Sequence, residues 1–308
     1  MKVKGRFAPT PSGRMHLGNL LAALLAWLDA RGAGGELVLR IEDLDTQRTS
    51  AEFALQLMDD LRWLGLDWDE GGLEPAYMQS RRTACYEEAF RALEEKGLVY
   101  PCYCTRSERM AANAPHRNDG AVVYSGKCFH LTPAERAELE RRGRRPAWRV
   151  RCPELEVTVE DGNLGTYREN LARDCGDFIV RRSDGVFAYQ LAVVVDDALM
   201  GVNHVVRGGD LLCSAPRQAW LHRVLGHPEP RFFHTPLLLA PDGRRLAKRD
   251  HDLDMGALRE RYAPEELTGL LAWYAGLLDR PEKVTARELV PQFSWAKVLK
   301  KDVVVCLT

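Results

Sequence analysis

The first part of the chain constrains the fold most, because it is patterned as a strand, a tight loop and a helix. Residues 6–19 have the sequence RFAPTPSGRMHLGN, in which Pro9 and Pro11 stiffen a loop and Gly13 loosens it. The stretch NLLAALLAWLDARG predicts a strongly apolar helix that opens at residues 16–19. In α/β proteins this order presents backbone N–H groups and the positive end of a helix to phosphate. The sequence therefore predicts a nucleotide-binding α/β fold.

Two residues of this loop suit a contact with phosphate. Gly18 would let the backbone approach a nucleotide closely, and His16 can donate a hydrogen bond to a phosphate oxygen. A His-x-Gly pattern fits equally well a histidine that only caps the helix. Both interpretations stay open from these residues alone.

The second strand signal ends in acidic residues. Residues 36–48, ELVLRIEDLDTQR, alternate apolar and polar positions and carry Glu42, Asp43 and Asp45 at the carboxyl end. Ligands of open parallel sheets bind at that edge. Further strands are predicted at 178–182, 187–197 and 204–209, and helices at 51–64, 81–97, 214–225 and 264–278. Residues 98–173 interrupt this α/β pattern, so we predict an irregular insertion there.

These motifs, in this order, resemble the catalytic half of the class I glutamyl-tRNA synthetases. The resemblance extends from residue 6 to about residue 250. Besides the first two motifs it rests on LGLDWDEGG (64–72), YMQSRR (77–82), YQLAVVVDDALMG (189–201) and VVRGGDLL (205–212). It implies an α/β fold: a Rossmann-like class I aminoacyl-tRNA synthetase catalytic core with an inserted zinc-bearing subdomain and a helical C-terminal region.

The resemblance also implies a division of the chain into four parts. Residues 1–97 and 174–235 would form the two halves of the Rossmann-like nucleotide-binding domain, 98–173 the inserted zinc-bearing subdomain, and 236–308 the ATP loop and a helical region that contacts an RNA stem. The chain ends at Thr308 without room for the anticodon-binding domain of the longer enzymes. It therefore resembles most a truncated paralogue in this family, which implies transfer of glutamate to queuosine in tRNA(Asp).

A glutamate site needs cations for two carboxylates and an anion for the ammonium group. The resemblance places Arg6 and Arg207 near the carboxylates and Glu42 near the amino group. Thr10 and Tyr189 would add hydrogen bonds. The implied site is completed by Phe7, Ala8 and Pro9. Glutamine would be rejected, because a guanidinium would face its amide N–H₂ group.

The implied ATP site consists of His16, Gly18, Asn19 and Lys248. His16 and Lys248 would be catalytic, since a lysine here can stabilise charge on the α-phosphate and the leaving pyrophosphate. Lys248 lies in PDGRRLAKRD, where the family usually has Lys-x-Ser-Lys. Arg245 and Ala247 depart from that pattern, so a hydroxyl is lost while positive charge is kept. Mg²⁺ would accompany ATP, held mainly by phosphates and water.

Three of the eight cysteines form the pattern C-x-C-x19-Y-x3-C, which comprises Cys102, Cys104, Tyr124 and Cys128. The pattern resembles the family's structural zinc site, in which a tyrosine completes a set of three cysteines. His116 and His130 stay open as alternative fourth ligands. Buried free thiols are the other interpretation of the cysteines.

The net charge of −1 does not indicate a nucleic-acid-binding protein, but arginines cluster between residues 136 and 151. Those at 136–142 can pair with glutamates on a solvated helix, whereas GRRPAWRVR (143–151) contains no acid and could contact RNA phosphates. No stretch approaches the roughly 20 apolar residues that span a bilayer, and MKVKGRFAP lacks a signal-peptide core. We expect a cytoplasmic monomer without membrane contact, with ATP, L-glutamate and tRNA as partners.

Two alternative functions stay open. A minimal glutamyl-tRNA synthetase would charge the 3′ end of a tRNA. A catalytically inactive, zinc-containing RNA-binding module is compatible with the departures at Arg245 and Ala247. A nucleotidyltransferase with a similar His-x-Gly-His signature is disfavoured, because Glu42, Tyr189 and Arg207 would then share no purpose.

Overall fold

The computed structural model describes residues 2–105, 108, 123–244, 246 and 253–305. The first part contains β1 (Lys4–Phe7), α1 (Leu17–Gly32), β2 (Glu36–Leu39), α2 (Ala51–Trp63), β3 (Glu70–Gly71) and α3 (Thr83–Glu95). The middle contains β4 (Val99–Cys102), α4 (Pro133–Arg141), β5 (Ala147–Val150), β6 (Glu156–Asp161), β7 (Gly165–Asn170) and β8 (Phe178–Arg181). The last part contains α5 (Tyr189–Leu199), β9 (His204–Gly208), α6 (Ala215–Leu225), β10 (Arg231–Thr235), β11 (Leu238–Leu239), α7 (Met255–Arg261), α8 (Pro264–Ala275), α9 (Ala286–Leu289) and β12 (Val303–Val304).

The central sheet is parallel and has the strand order β10-β9-β1-β2-β3. The chain runs outward from β1 through β2 to β3, and later returns to the other side of β1 with β9 and β10. The order therefore reverses between β1 and β9. Crevices at such switch points, beyond the carboxyl ends of the strands, are where doubly wound sheets bind ligands. The predicted α/β class is confirmed.

Helix α1 is apolar because it is covered on more than one side. Leu20, Leu24 and Leu28 are almost completely inaccessible to solvent. The helix packs on β1, β2 and β9 and also on α8 of the C-terminal region. Its apolar residues therefore do not form a single stripe, and its amino end is fixed at the carboxyl edge of the sheet.

The strand predicted at 187–197 is wrong, because these residues belong mostly to α5. A continuous apolar run of β-branched residues suits a buried strand or a buried helix equally well, and tertiary packing decides between them. The helix is buried from Leu191 through Asp197. Asp196 accepts hydrogen bonds from Gln79 at 2.8 Å and Arg82 at 2.6 Å, contacts that the helical conformation makes possible.

Residues 98–173 are also more regular than predicted, since their described part includes β4, β5, β6, β7 and α4. Strands β4, β5 and β8 form an antiparallel sheet, and β6 and β7 form a hairpin. Alternate side chains of β6 are buried, so one face of the hairpin packs inward. The limits of the four predicted parts stay predictions.

The other predicted elements are confirmed with small shifts at their ends. Helices α2, α3, α6 and α8 correspond to the predicted helices, and β8 and β9 to two of the predicted strands. Short helices follow residue 236, as expected. Within the described ranges, no helix combines the length and the apolar character needed to cross a membrane.

Candidate active site

A pocket of about 580 Å³ opens at the switch point of the sheet. Its wall contains the predicted glutamate residues Arg6, Phe7, Ala8, Pro9, Thr10, Glu42, Tyr189 and Arg207, and the predicted ATP residues His16, Gly18 and Asn19. Lys248, Arg245 and Ala247 lie outside the described residues. The fold thus brings residues from distant parts of the chain into one cavity.

His16 caps the amino end of α1, whose first residues line the pocket. Its Nδ1 accepts the backbone N–H of Gly18 at 3.2 Å, and the Asn19 side chain accepts the N–H of His16 at 3.2 Å. Because Nδ1 is an acceptor, the ring proton lies on Nε2, where it suits donation to a phosphate oxygen. A Cβ at Gly18 would lie 3.1 Å from the His16 ring, so glycine permits this close approach. Capping and phosphate binding are therefore compatible.

The described residues on either side of the segment that contains Lys248 both adjoin this region. Leu246 lines the pocket. Asp254 forms an isolated β-bridge with His16 and caps α7 by accepting the N–H of Gly256 at 2.7 Å. Leu246 and Asp254, the described residues on either side of 247–252, therefore both lie near the amino end of α1.

Arg207 brings a positive charge to the pocket without a carboxylate within 4 Å in the described part of the chain. Its Nε donates to Nε2 of His234 at 3.0 Å, and Nη1 donates to Gln218 at 2.6 Å. Nη1 also lies 3.5 Å from the Tyr189 hydroxyl, and Nη2 donates to the carbonyl of Leu211 at 3.3 Å. Because a buried charge without a counterion is costly, this arrangement favours an anionic ligand.

A second group of buried charges reaches the pocket through Arg6 and Glu42. Nε of Arg6 lies 3.5 Å from Oδ1 of Asp197, and Nη1 donates to the carbonyl of Val206 at 2.7 Å. Arg40 donates to Asp197 at 2.6 Å and to Glu42 at 3.2 Å. The pocket wall therefore offers both signs of charge, as a ligand with carboxylate and ammonium groups requires.

Burial and neighbouring charges change the ionisation of these groups. Burial lowers the pKa of Arg6 and raises the pKa of Glu42, although Arg40 opposes the latter shift. Burial alone would raise the pKa of Asp197, but Arg40 and Arg6 lower it below the usual value. Burial also raises the pKa of Tyr189, so its hydroxyl stays protonated and can donate to a carboxylate.

The sequence interpretation missed Arg40, Asp197 and His234, which support the pocket wall. A signal existed for Arg40, a charge between Leu39 and Ile41 in an apolar strand, because a charge in such a place indicates a buried ion pair. The aspartates that end the apolar run in α5 carry the same signal. Nothing local distinguishes His234, whose partners are 27 and 73 residues away in the chain.

The cysteine cluster lies at the edge of the antiparallel sheet. The sulfur atoms of Cys102, Cys104 and Cys128 all lie within 4.8 Å of one another. The Tyr124 hydroxyl is 3.5 Å from the sulfurs of Cys102 and Cys104. Zinc–sulfur bonds of about 2.3 Å in a tetrahedron place sulfurs about 3.8 Å apart, so the donor set fits zinc. His130 does not join this group, and His116 lies outside the described residues.

The electrostatics of the cluster suit a metal ion. The hydrogen bond with Cys128 lowers the pKa of Cys102 to about 4, against the opposing effect of burial, and the charge of Arg149 acts in the same direction. The guanidinium of Arg149 stacks 3.8 Å from the centre of the Tyr124 ring. Among the described residues the cluster packs with few apolar neighbours, so a bound ion would contribute much of the local stability.

The arginines near this cluster have different environments. Arg141 and Arg142 pair with Glu138, as expected for a solvated helix. Arg149 is buried and donates to the carbonyl of Asp177, so it is not available to an RNA phosphate. Arg151 is exposed and lies over the ring of Phe129.

The chain matches the family described as tRNA synthetases class I (E and Q), catalytic domain, over residues 2–301. It therefore belongs to this family of class I ligases. Within the family it is similar to curated proteins named Glutamyl-Q tRNA(Asp) synthetase. One from Symbiobacterium thermophilum is 51% identical over 97% of this chain and 94% of the relative. One from Deinococcus radiodurans is 47% identical over 97% of this chain and 98% of the relative.

Two solved structures are similar over almost the whole chain. A glutamate-tRNA synthetase from Elizabethkingia anophelis has a TM-score of 0.85 and 28% identity, covering 99% of this chain and 68% of its own. A glutamate tRNA ligase from Elizabethkingia meningosepticum, in complex with its amino acid, has a TM-score of 0.82 and 28% identity, covering 99% and 67%. The predicted resemblance and the class I catalytic core are confirmed.

Proposed function

We propose that the protein activates L-glutamate with ATP and transfers the glutamyl group to the queuosine of tRNA(Asp). A carboxylate oxygen of glutamate attacks the α-phosphorus of ATP, the bond to the β-phosphate breaks, and pyrophosphate leaves. A hydroxyl of the acceptor then attacks the acyl carbon, and AMP leaves with the hydroxyl proton. No side-chain nucleophile takes part, so positioning and fixed charge supply the catalysis.

The environment of Arg207 is the observation that carries this proposal. The guanidinium is buried in the pocket wall, and its hydrogen-bond acceptors in the described chain are neutral groups. Together with Arg6 it suits the carboxylates of glutamate, while Glu42 suits the ammonium group. Thr10 and Tyr189 add hydroxyl donors, and Phe7, Ala8 and Pro9 also line the pocket.

The ATP part of the proposal uses the amino end of α1. His16, Gly18 and Asn19 lie there, and the dipole of the helix favours the phosphates. Lys248 would stabilise the charge that develops on the α-phosphate and on pyrophosphate. Mg²⁺ would arrive with ATP, bound largely by phosphate oxygens and water.

The cysteine cluster is proposed to hold one structural zinc ion, with Tyr124 as fourth ligand. Four protein ligands leave no open position for a substrate, so zinc would stabilise the fold and take no part in the reaction. The cytoplasmic location and the monomeric state stay predictions.

Glutamate-dependent ATP–pyrophosphate exchange tests the activation step. We expect exchange with glutamate and Mg²⁺ in the absence of RNA, and none with glutamine. No exchange under any condition would favour the inactive RNA-binding module. Exchange that appears only after tRNA is added would contradict activation without RNA.

Transfer of labelled glutamate tests the acceptor. The similarity to proteins named Glutamyl-Q tRNA(Asp) synthetase supports queuosine, whose cyclopentene diol resembles the ribose diol of a tRNA 3′ end. We expect label on queuosine-containing tRNA(Asp) even after its 3′ CCA end is removed, and none on the same tRNA with unmodified guanosine. Label confined to the intact 3′ end of tRNA(Glu) would favour the minimal aminoacylating enzyme.

A further inference from the structure

The end of the β6–β7 hairpin reaches the pocket wall through two buried hydrogen bonds in series. Oδ2 of Asp161 lies 2.6 Å from Nδ1 of His234, and Nε2 of His234 accepts the Nε–H of Arg207 at 3.0 Å. Asp161 is 6% exposed, His234 0% and Arg207 5%. A carboxylate from the inserted region is thus connected to the guanidinium that faces the ligand pocket.

The partners of the histidine determine where its proton lies. Oδ1 of Asp161 accepts the backbone N–H groups of Asn163 at 3.0 Å and Leu164 at 2.8 Å, which favours an ionised carboxylate. An ionised carboxylate can only accept, so Nδ1 of His234 is the donor in this pair. Burial and the charge of Arg207 lower the pKa of His234, so Nε2 remains unprotonated and accepts from Arg207.

The hairpin end is itself fixed on β10. The N–H of Gly162 donates to the carbonyl of Phe232 at 2.8 Å, and the Asn163 amide donates to the carbonyl of His234 at 2.9 Å. A Cβ at Gly162 would lie 2.0 Å from the Phe233 ring, so only glycine permits this close packing. The carboxylate of Asp161 therefore has little freedom to move relative to the sheet.

We propose that His234, held by Asp161, is a positioning residue that orients the Arg207 guanidinium toward a carboxylate of the substrate. This proposal rests on the proposed role of Arg207 in glutamate binding. Arginine has a long, flexible stem, and its planar group binds a carboxylate well only in a defined orientation. The bond from Nε to His234 fixes one edge of that plane. The bonds from Nη1 to Gln218 and from Nη2 to the carbonyl of Leu211 hold the other edge beside Tyr189 in the pocket wall.

A pair of substitutions separates this role from simple packing. Asparagine at 234 keeps a polar group near Nδ1 and loses the acceptor near Nε2, whereas the longer glutamine places its amide oxygen near Nε2. In ATP–pyrophosphate exchange, His234→Asn should raise the KM for glutamate about tenfold or more, with kcat and the KM for ATP changed less than about threefold. His234→Gln should restore most of the glutamate KM.

The matched control is His204, which lies on the neighbouring strand β9, pairs with Asp29 at 2.8 Å and does not line the pocket. His204→Asn should leave the KM for glutamate unchanged. An unchanged glutamate KM in His234→Asn would overturn the proposal. Equal increases in the KM for glutamate and for ATP, or no rescue by glutamine, would also overturn it.

Histidine ¹⁵N NMR of the wild-type protein provides a readout that does not depend on enzymatic activity. The signal of His234, identified by its loss in His234→Gln or by sequential assignment, should show a neutral ring with the proton on Nδ1. An imidazolium or an Nε2-protonated ring at neutral pH would overturn the proposal. A wild-type protein with the expected signal but no glutamate-dependent exchange would instead refute the proposed function.

Discussion

Oε1 of Glu42 lies 3.2 Å from Nη2 of Arg40, a side chain without exposed surface. The same guanidinium donates to Asp197 at 2.6 Å, so it links the acidic residue of the pocket wall to a carboxylate of α5. Glu42 therefore belongs to a buried network of charges. Removal of one member leaves the others uncompensated, which costs about 3–5 kcal/mol in comparable buried pairs.

Glu42→Gln should weaken glutamate binding without abolishing the fold, because the amide keeps the shape of the side chain. The lost ion pair with the ammonium group is worth about 1.5–3 kcal/mol, which corresponds to a rise in the glutamate KM of about 10- to 150-fold. The KM for ATP should change little. Pyrophosphate exchange measures both constants.

The pH dependence of the wild type adds a second readout for Glu42. Burial raises the pKa of Glu42, so the ionised form is lost as the pH falls through a value above the usual 4.3 or so of a glutamate. Glutamate KM should rise in that range for the wild type and much less for Glu42→Gln. Glu36→Gln, which changes a half-buried glutamate on β2 that pairs with Lys2 and does not line the pocket, is the control. The same pH profile in all three proteins would contradict the role of Glu42.

Arg207→Ala should raise the glutamate KM by about 100-fold or more, since a charge-assisted contact is lost and its acceptors are left unpaired. The KM for ATP should stay within about threefold, because the phosphates are expected at the amino end of α1. Arg231→Ala on β10, where the side chain is exposed, should behave like the wild type. Equal losses for both substrates would mean that Arg207 supports the fold and does not bind glutamate.

Elemental analysis should find about one zinc ion per chain, because four ligands fill one tetrahedral site. Cys128→Ser should release the ion and make the region around β4 and β5 more susceptible to protease, since metal binding and local folding are coupled. Cys85→Ser, which changes a cysteine outside the cluster, should keep the zinc. A full zinc content in Cys128→Ser would contradict the assignment.

Tyr124→Phe tests the fourth ligand separately. The phenol oxygen is removed while the ring that stacks on Arg149 is kept, so a loss of zinc affinity would come from the missing ligand. Competition with a chelator gives that affinity. Unchanged affinity would show that Tyr124 is not a ligand, and His116 would then be the remaining predicted alternative.

Asp197→Asn should destabilise the protein at neutral pH by about 3–5 kcal/mol, because Arg6 and Arg40 lose a buried counterion. The pKa of Asp197 is lowered in the folded state. Its contribution to the free energy of unfolding is therefore complete at pH values above the pKa of aspartate in the unfolded chain, about 3.9. The contribution is lost as the pH falls through the folded value. Urea unfolding at several pH values measures the free energy of unfolding. The difference in this free energy between Asp197→Asn and the wild type should become smaller as the pH falls. Asp184→Asn, which changes an exposed aspartate, is the control and should have the wild-type free energy of unfolding. A difference between Asp197→Asn and the wild type that stays constant down to pH 3 would refute the ion pair.

The local motifs predicted which residues come together in one pocket, because each motif lies at a strand end. Residues 6–19 and 36–48 contain the patterns for strand, loop and helix, and parallel topology brings their carboxyl ends together. For α5 the sequence pattern predicted a strand where a helix forms, because a buried run of valines has no period that separates strand from helix. There the helix is buried by tertiary packing, and Asp196 accepts from Gln79 and Arg82, which are distant in sequence.

The pairing of Asp161 with His234, behind Arg207, could not be predicted for a related reason. Asp161 and His234 are 73 residues apart, and neither is part of a recognisable local pattern. Their pairing depends on how the β6–β7 hairpin docks on β10. Sequence patterns describe single elements, whereas these contacts are created by the packing of one element on another.

The position of β1 at the centre of the sheet has a consequence for synthesis on the ribosome. Arg6 donates to the carbonyl of Val206, a contact between residues 200 positions apart. Strand β1 lies between β2 and β9, and β2 is synthesised long before β9. Until β9 emerges, the nascent chain exposes an unpaired edge beside α1, and the arginines of the future pocket remain hydrated. Contacts this distant in sequence slow folding, so the ligand pocket forms late and this edge stays open to aggregation until β9 pairs with it.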